Sequence, residues 1–408
     1  MTLVVSVGVA LAFVGLSGIP GVVDAGTIPP PPSGWRTVWS DTFSGSVGSA
    51  PSSANWLYDT GTSYPGGASH WGTGEVETMT RSTNNVYLDG HGHLVIRPVY
   101  AHGSWTSGRI ETRRDDFEAP AGGEMEITAS IEQPNPAEGL GYWPAFWALG
   151  AAARPVGATN WPRIGELDIL EDINGLSEVS HTFHCGTNPG GPCHEGDGLG
   201  SGLLACAGCQ NSYHTYSVIV DRTNTRNEQL RFYTDGELQY HVSESQVGTS
   251  TWKAAVDHGF FVIFDVAMGG GYPDGICGCT APSPSTTSGA GMRVAYVAVY
   301  ETGKSPHVAI DSTRIVLPTA KPVTVPVRLT CTAASCSGSV WLDATSGSSE
   351  RLASAAYEIA RGATTTVRLR LTSAGRMALA DVASRPFRGV LAASVNGGEE
   401  VKTSVIVS

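Results

Sequence analysis

Along much of the chain apolar and polar residues alternate with period two, the mark of strands that bury one face. In Glu124 to Ile131 the residues Met125, Ile127, Ala129 and Ile131 alternate with Glu124, Glu126, Thr128 and Ser130 without a slip. Leu230 to Val242 reads as two strands around Asp235-Gly236, a pair that accepts the positive φ angles of a tight hairpin turn. Phe260 to Met268 and Val294 to Tyr300 are apolar enough to be buried on both faces, which predicts two stacked sheets. No segment predicts a helix of three turns. Strands continue to Glu301, and Thr302-Gly303-Lys304-Ser305-Pro306 reads as a linker. The Val- and Thr-rich runs at Pro322–Thr330, Thr364–Leu371 and Val401–Val407 then predict a second, immunoglobulin-like sandwich. The expected organisation is a signal peptide at 1–25, a Pro-rich leader at 26–34, a main all-β unit at 35–302, a linker at 303–312 and a C-terminal β-sandwich at 313–408.

Composition agrees with that pattern. Only 15% of the 408 residues are charged and 75 are Gly or Pro, against a usual charged share of about 25%, so long amphipathic helices are excluded. The net charge of −12 divides unevenly. From Ser305 onward 11 Lys+Arg stand against 7 Asp+Glu, a balance of +4, which leaves −16 for the first 304 residues. An acidic main unit excludes a nucleic-acid partner, because phosphates are neutralised by clustered Lys and Arg.

Leu3 to Val23 is almost wholly apolar, and Val23-Asp24-Ala25 places small residues at the −3 and −1 positions of a signal-peptidase site, so secretion with cleavage after Ala25 is expected. No Lys or Arg precedes Arg36, and the basic start of such a signal is missing. The alternative, an uncleaved anchor, is opposed by Pro20 and Gly21 within a span already near the ~20-residue minimum. Eight cysteines in a secreted chain predict disulfides. Cys331 and Cys336 are expected to pair, whereas Cys185, Cys193, Cys206, Cys209, Cys277 and Cys279 allow 15 connectivities. A zinc site at Cys206 and Cys209 with His184, His194 or His214 nearby is the alternative.

The candidate chemistry lies in Glu166-Leu167-Asp168-Ile169-Leu170-Glu171. On a strand Glu166 and Asp168 share a face, but Glu171 points away unless a β-bulge absorbs one residue between Asp168 and Glu171. Three carboxylates on one concave surface would shift one another's protonation, as glycoside hydrolysis requires: one carboxyl protonates the leaving oxygen while another attacks or assists water. An acidic strand face or a calcium site would be the alternatives. Trp143, Trp147 and Trp161, with Trp71 and Trp105 earlier, favour the hydrolytic reading, since flat indoles suit the apolar faces of sugar rings. Of these, Trp143 and Trp161 are expected in the groove.

Taken together, the sequence resembles glycoside hydrolase family 16, in particular its laminarinase-like endo-β-1,3-glucanases. The motif E-x-D-x-x-E stands as Glu166, Asp168 and Glu171. In family order come Trp71-Gly72 before Glu75, Asn85-Val86, Gly90-His91-Gly92-His93-Leu94, Thr106-Ser107-Gly108-Arg109-Ile110, Tyr142-Trp143-Pro144-Ala145-Phe146-Trp147, His181-Thr182-Phe183-His184, Phe232-Tyr233-Thr234-Asp235-Gly236 and Ala267-Met268-Gly269-Gly270. The resemblance runs from Trp35 to Glu301 and implies a β-jelly roll with a concave substrate groove. It implies Glu166 as nucleophile, Asp168 as its tuning neighbour and Glu171 as acid and base. Asn85, Arg109, Trp143 and Trp161 would hold the glycon side, with His184 near the leaving group. Retention of configuration would follow, with the glutamates ~5–5.5 Å apart.

Thr42 and Ala295 take places where the family often carries calcium ligands, so no metal is expected, and no cofactor. Asp265 stands where Asn is common, and the Cys185–Cys209 insert is expected to reshape the leaving-group side. The expected partner is a polysaccharide, for a monomer without nucleic acid or membrane once the signal is removed. A β-1,3-galactan or other galactan is the alternative substrate, and a non-catalytic glucan-binding lectin the alternative class.

Overall fold

The computed structural model describes residues 27–408 apart from 303–306, 318–323, 333–335, 345–349, 361, 381–385 and 396–399; the expected signal peptide lies outside the described residues. Within the main unit six strands position the groove: β1 (Trp56–Asp59), β2 (Arg109–Thr112), β3 (Tyr142–Gly150), β4 (Glu166–Glu171), β5 (Glu178–His184) and β6 (Phe260–Met268). They pair antiparallel in the order β5, β4, β3, β6, β2, β1, with the short Leu199–Gly200 beyond β5. A second antiparallel sheet faces them. Its order is Glu237–Ser243, Gln229–Thr234, His214–Asp221, Glu124–Glu132, Met292–Glu301, Leu94–Ile96 and Val86–Leu88, and Arg36–Asp41 also pairs with Met292–Glu301.

The alternation is what stacks the two sheets. On β3, Tyr142, Phe146 and Ala148 enter the shared core, while Trp143, Ala145, Trp147 and Leu149 point into the groove. On β6 the core face carries Phe260, Val262, Phe264, Val266 and Met268. Phe261 and Ile263, on its other face, are covered by Ala153 and Ile164 from the connection after β3. β6 is thus buried on both faces, as its apolar run predicted. Phe146 and Phe264 stack at 4.8 Å in the centre, where truncating either ring to alanine costs about 3–5 kcal/mol. The hairpin forms around Asp235 and Gly236, with φ of 51° and 77°. Among the described residues the longest helices have seven residues. None is long and apolar enough to cross a membrane.

After the main unit, eight strands among the described residues hydrogen-bond in one order, joined between Thr364–Leu371 and Arg351–Ile359 by only two residue pairs. The order is Val308–Ile310, Thr324–Cys331, Thr364–Leu371, Arg351–Ile359, Cys336–Ala344, Phe387–Val395, Val401–Val407 and Arg314–Ile315. Val308–Ile310 already pairs with Thr324–Cys331, so the linker expected over 303–312 ends earlier than its polar composition suggested. The sheet closes on its own core, which includes Val327, Leu342, Leu369 and Leu391.

Candidate active site

The acidic face of β4 depends on two local devices. Gly165, just before the strand, has a φ of +74°, and a Cβ there would lie 1.9 Å from the Ala255 carbonyl oxygen, so the strand enters tight against Ala255. Within it, the register shifts between Asp168 and Glu171: Asp168 faces Thr182 and Glu171 faces Ser180, three residues against two. Ile169 and Leu170 consequently both enter the core, and Glu166, Asp168 and Glu171 all line the groove. This is the bulge the spacing predicted. The Ile169 carbonyl accepts a bond of 2.8 Å from Nδ1 of His181. Burial pushes that imidazole down to about 4, so it stays neutral and places its proton on Nδ1.

The three carboxyls have different surroundings. Glu166 keeps 16% of its side chain exposed in the groove, against 6% for Asp168. His184, opposite Glu166 on β5, sets its Nε2 3.3 Å from Asp168 Oδ2 and 3.9 Å from Glu166 Oε1. On the other side of the bulge, Glu171 Oε1 accepts from Trp143 Nε1 at 2.9 Å. Burial, together with the charge of Asp168, pushes both Glu166 and Glu171 up to about 8, so they titrate as an interacting set. Burial also raises Asp168, opposed by His184. For His184, burial disfavours the charged ring, but Asp168 and Glu195 outweigh it and hold the imidazole well above its usual range. A reachable carboxyl, a shielded one paired with a cation and a third hydrogen-bonded to an indole can divide attack, tuning and proton transfer among them.

Around these carboxyls is a groove of about 600 Å³. Trp143 and Trp161 line it as expected, and so do Trp71 and Trp147. The Arg109 guanidinium lies 4.4 Å from the Trp71 ring, 4.7 Å from Trp147 and 5.0 Å from Tyr64, and 3.2 Å from Asp59 Oδ2. It braces the aromatic wall. Asp265, pushed up to about 7 by burial, accepts from Trp147 Nε1 at 2.7 Å and also lines the groove.

One expectation is corrected here. Asn85 is 1% exposed, and its amide is used up inside, donating to the carbonyls of Arg97 and Thr106 and accepting from Thr80. It holds loops together away from the groove lining, because the strand that follows it belongs to the opposite sheet. His184 stands at the carboxyl cluster, beside Asp168 and Glu166. Sequence reasoning left Trp147, Glu75 and Asp265 without a role, although alternation on β3 and β6 signals Trp147 and Asp265 as groove-facing. The cysteines pair as 185–193, 206–209, 277–279 and 331–336, so Cys206 and Cys209 form a disulfide in place of the zinc alternative.

A curved β-sandwich with clustered carboxyls between tryptophans defines a carbohydrate-active protein. A family model described as "XgeA-like, catalytic GH16 domain" matches residues 123–197. The crystal structure of endo-1,3-β-glucanase from Streptomyces sioyaensis is 50% identical, covering 68% of this chain and 100% of that one with a TM-score of 0.65. Glucan endo-1,3-β-glucosidase A1 of Niallia circulans is 28% identical over 286 residues, 66% of this chain and 38% of that protein. Keratan-sulfate endo-1,4-β-galactosidase of Sphingobacterium multivorum is 28% identical over 279 residues, 65% of this chain and 55% of that protein. The chain therefore spans only 38% and 55% of the lengths of these two relatives. It belongs to glycoside hydrolase family 16.

Proposed function

We propose that the chain is a secreted endo-glycosidase that hydrolyses β-1,3-glucan, laminarin-like or from fungal walls, with retention of configuration. The observation that carries this reading is the bulged strand that brings Glu166, Asp168 and Glu171 to one groove face in unequal surroundings. Glu166 attacks the anomeric carbon as Glu171 gives its proton to the departing glycosidic oxygen, leaving a glycosyl ester on Glu166. Glu171 then takes a proton from water, whose oxygen displaces Glu166. Asp168, paired with His184, tunes Glu166, and Trp143 and Trp161 offer flat faces to neutral sugar rings. The 50% identity to a protein titled endo-1,3-β-glucanase supports the linkage and the sugar.

The likeness to a keratan-sulfate galactosidase favours a galactan as the second reading. Parallel assays on laminarin, lichenan, agarose and β-1,3-galactan separate the two, with laminarin expected to release the most reducing ends. Glu166→Ala should abolish hydrolysis, and azide with an activated β-laminaribioside should then give the α-glycosyl azide. A β-azide, or α-configured products from the wild type, would overturn the retaining mechanism. Laminarin binding without any release of reducing ends would support the lectin.

A further inference from the structure

We infer that Glu195, just after the disulfide-closed loop that follows β5, is a positioning residue that holds His184 as an imidazolium against Asp168 and so favours the ionised forms of Asp168 and Glu166. The inference rests on the roles proposed for Glu166 and Asp168.

His184 ends β5, and at Cys185 the chain leaves the sheet to form the loop closed by the Cys185–Cys193 disulfide. Both cysteines are fully buried. Gly190 and Glu195 pair backbone to backbone at the base of this loop. Glu195 is thereby turned inward, with its side chain 0% exposed. Its two carboxylate oxygens are both engaged: Oε2 lies 2.7 Å from His184 Nδ1, and Oε1 accepts from the Cys185 amide at 2.8 Å. On the far side of the ring, Nε2 lies 3.3 Å from Asp168 Oδ2.

Each ring nitrogen therefore faces a carboxylate oxygen. A neutral imidazole with its one N–H on Nδ1 toward Glu195 would set the Nε2 lone pair against Asp168, whereas the imidazolium donates to Glu195 and turns positive charge toward Asp168 Oδ2, which accepts no aligned hydrogen bond. The ring packs beside Trp161, centroids 5.5 Å apart, and the Gly198 backbone approaches so closely that any side chain there would meet its Cε1. The charged groups facing His184 are Glu166 and Asp168 from β4 and Glu195 from the loop, with the field of Glu171 also felt across the strand. Glu166 additionally feels Arg109. Removing the negative charge at 195 lets His184 lose its proton, and an uncharged His184 no longer favours the ionised forms of Asp168 and Glu166. A carboxylate that only fastened the loop through the Cys185 amide would have no such effect.

The test is the full chain with Glu195→Gln, read by the pH profile of kcat/KM on laminarin and by NMR titration of the His184 imidazole nitrogens. Wild-type His184 should stay protonated well beyond the ordinary ~6.5. In the variant its midpoint should fall toward that value, and the acid limb of the profile should move up by about one unit, a tenfold loss below the limb with KM within about twofold. Glu195→Asp should restore part of both. A wild-type His184 that titrates near ~6.5, or a variant with an unmoved acid limb, overturns the inference. Should the variant not fold, the wild-type titration decides alone. A wild type inactive on laminarin would overturn the proposed function, while the imidazole titration would still decide the role of Glu195.

Discussion

Two strands of the main unit, Glu124–Glu132 and β4, both alternate acidic and apolar residues, yet one is scaffold and the other carries the proposed chemistry. Glu124–Glu132 keeps strict alternation: Met125, Ile127, Ala129 and Ile131 fill the core, and its pairing with His214–Asp221 runs without a shift. β4 breaks its alternation once, at Ile169 and Leu170, and spends two consecutive residues on the core. A regular strand spaces like charges along its face, whereas the bulge re-aims Glu171 toward Glu166 and Asp168. The regular strand is therefore intolerant of a change in length, and the broken one is not.

Deleting one residue from each strand gives the largest expected contrast. Without Thr128, every residue from Ala129 to Glu132 changes face, and the chain should fail to give soluble, folded protein. Without Ile169, alternation becomes regular and Glu171 stays on the groove face. The loss is then the buried isoleucine, about 2–5 kcal/mol, and the carbonyl that receives His181. Circular dichroism melts should show a folded protein with a lower Tm, and a fold lost equally in both deletions would erase the contrast.

Glu171→Gln leaves the geometry of β4 in place and removes only the proposed proton donor. Hydrolysis of laminarin should fall about 10²–10⁴-fold. The same substitution has a pH signature in stability. Because the folded carboxyl is raised to about 8 from an ordinary 4.5, the folded state holds its proton across that interval and the unfolded state does not. Stability from this group is complete below 4.5 and is lost as pH rises through 8, so the wild type should weaken with pH more than Glu171→Gln. Stabilities from denaturant melts between these limits should differ in their pH slope by about 1.4 kcal/mol per pH unit, and parallel curves would contradict the buried, raised carboxyl.

Asn85→Ala gives a smaller and purely structural effect. It should cost about 1–3 kcal/mol through the carbonyls left unpaired, with KM for laminarin oligosaccharides unchanged. A raised KM would return Asn85 to the groove.

The strands were legible because their apolar patterns are local: β6, Thr364–Leu371 and Val401–Val407 have the bounds those patterns predicted. The bulge was legible because the third carboxylate of the spacing could join the others in no other way. What stayed hidden depends on contacts between distant segments. The place of His184 follows from its register with Glu166, and that of Glu195 from one disulfide among 15 connectivities. Trp71 reaches the groove from a left-handed turn with φ of 52°, a conformation its residue type does not announce. Asn85 was misplaced because a motif gives the polarity of a residue without the direction of its side chain.

The Pro-rich leader lies on the back of the molecule. Ile28 and Trp35 pack on Tyr296 and Tyr300, on the face of Met292–Glu301 that points away from the core, and the Tyr300 hydroxyl donates to the Pro29 carbonyl at 2.7 Å. The described chain thus begins on the side of the sandwich that points away from the groove. Tethered to a bead or a sensor chip by that end, the main unit would turn its tryptophan-lined cleft outward, toward the polymer in solution.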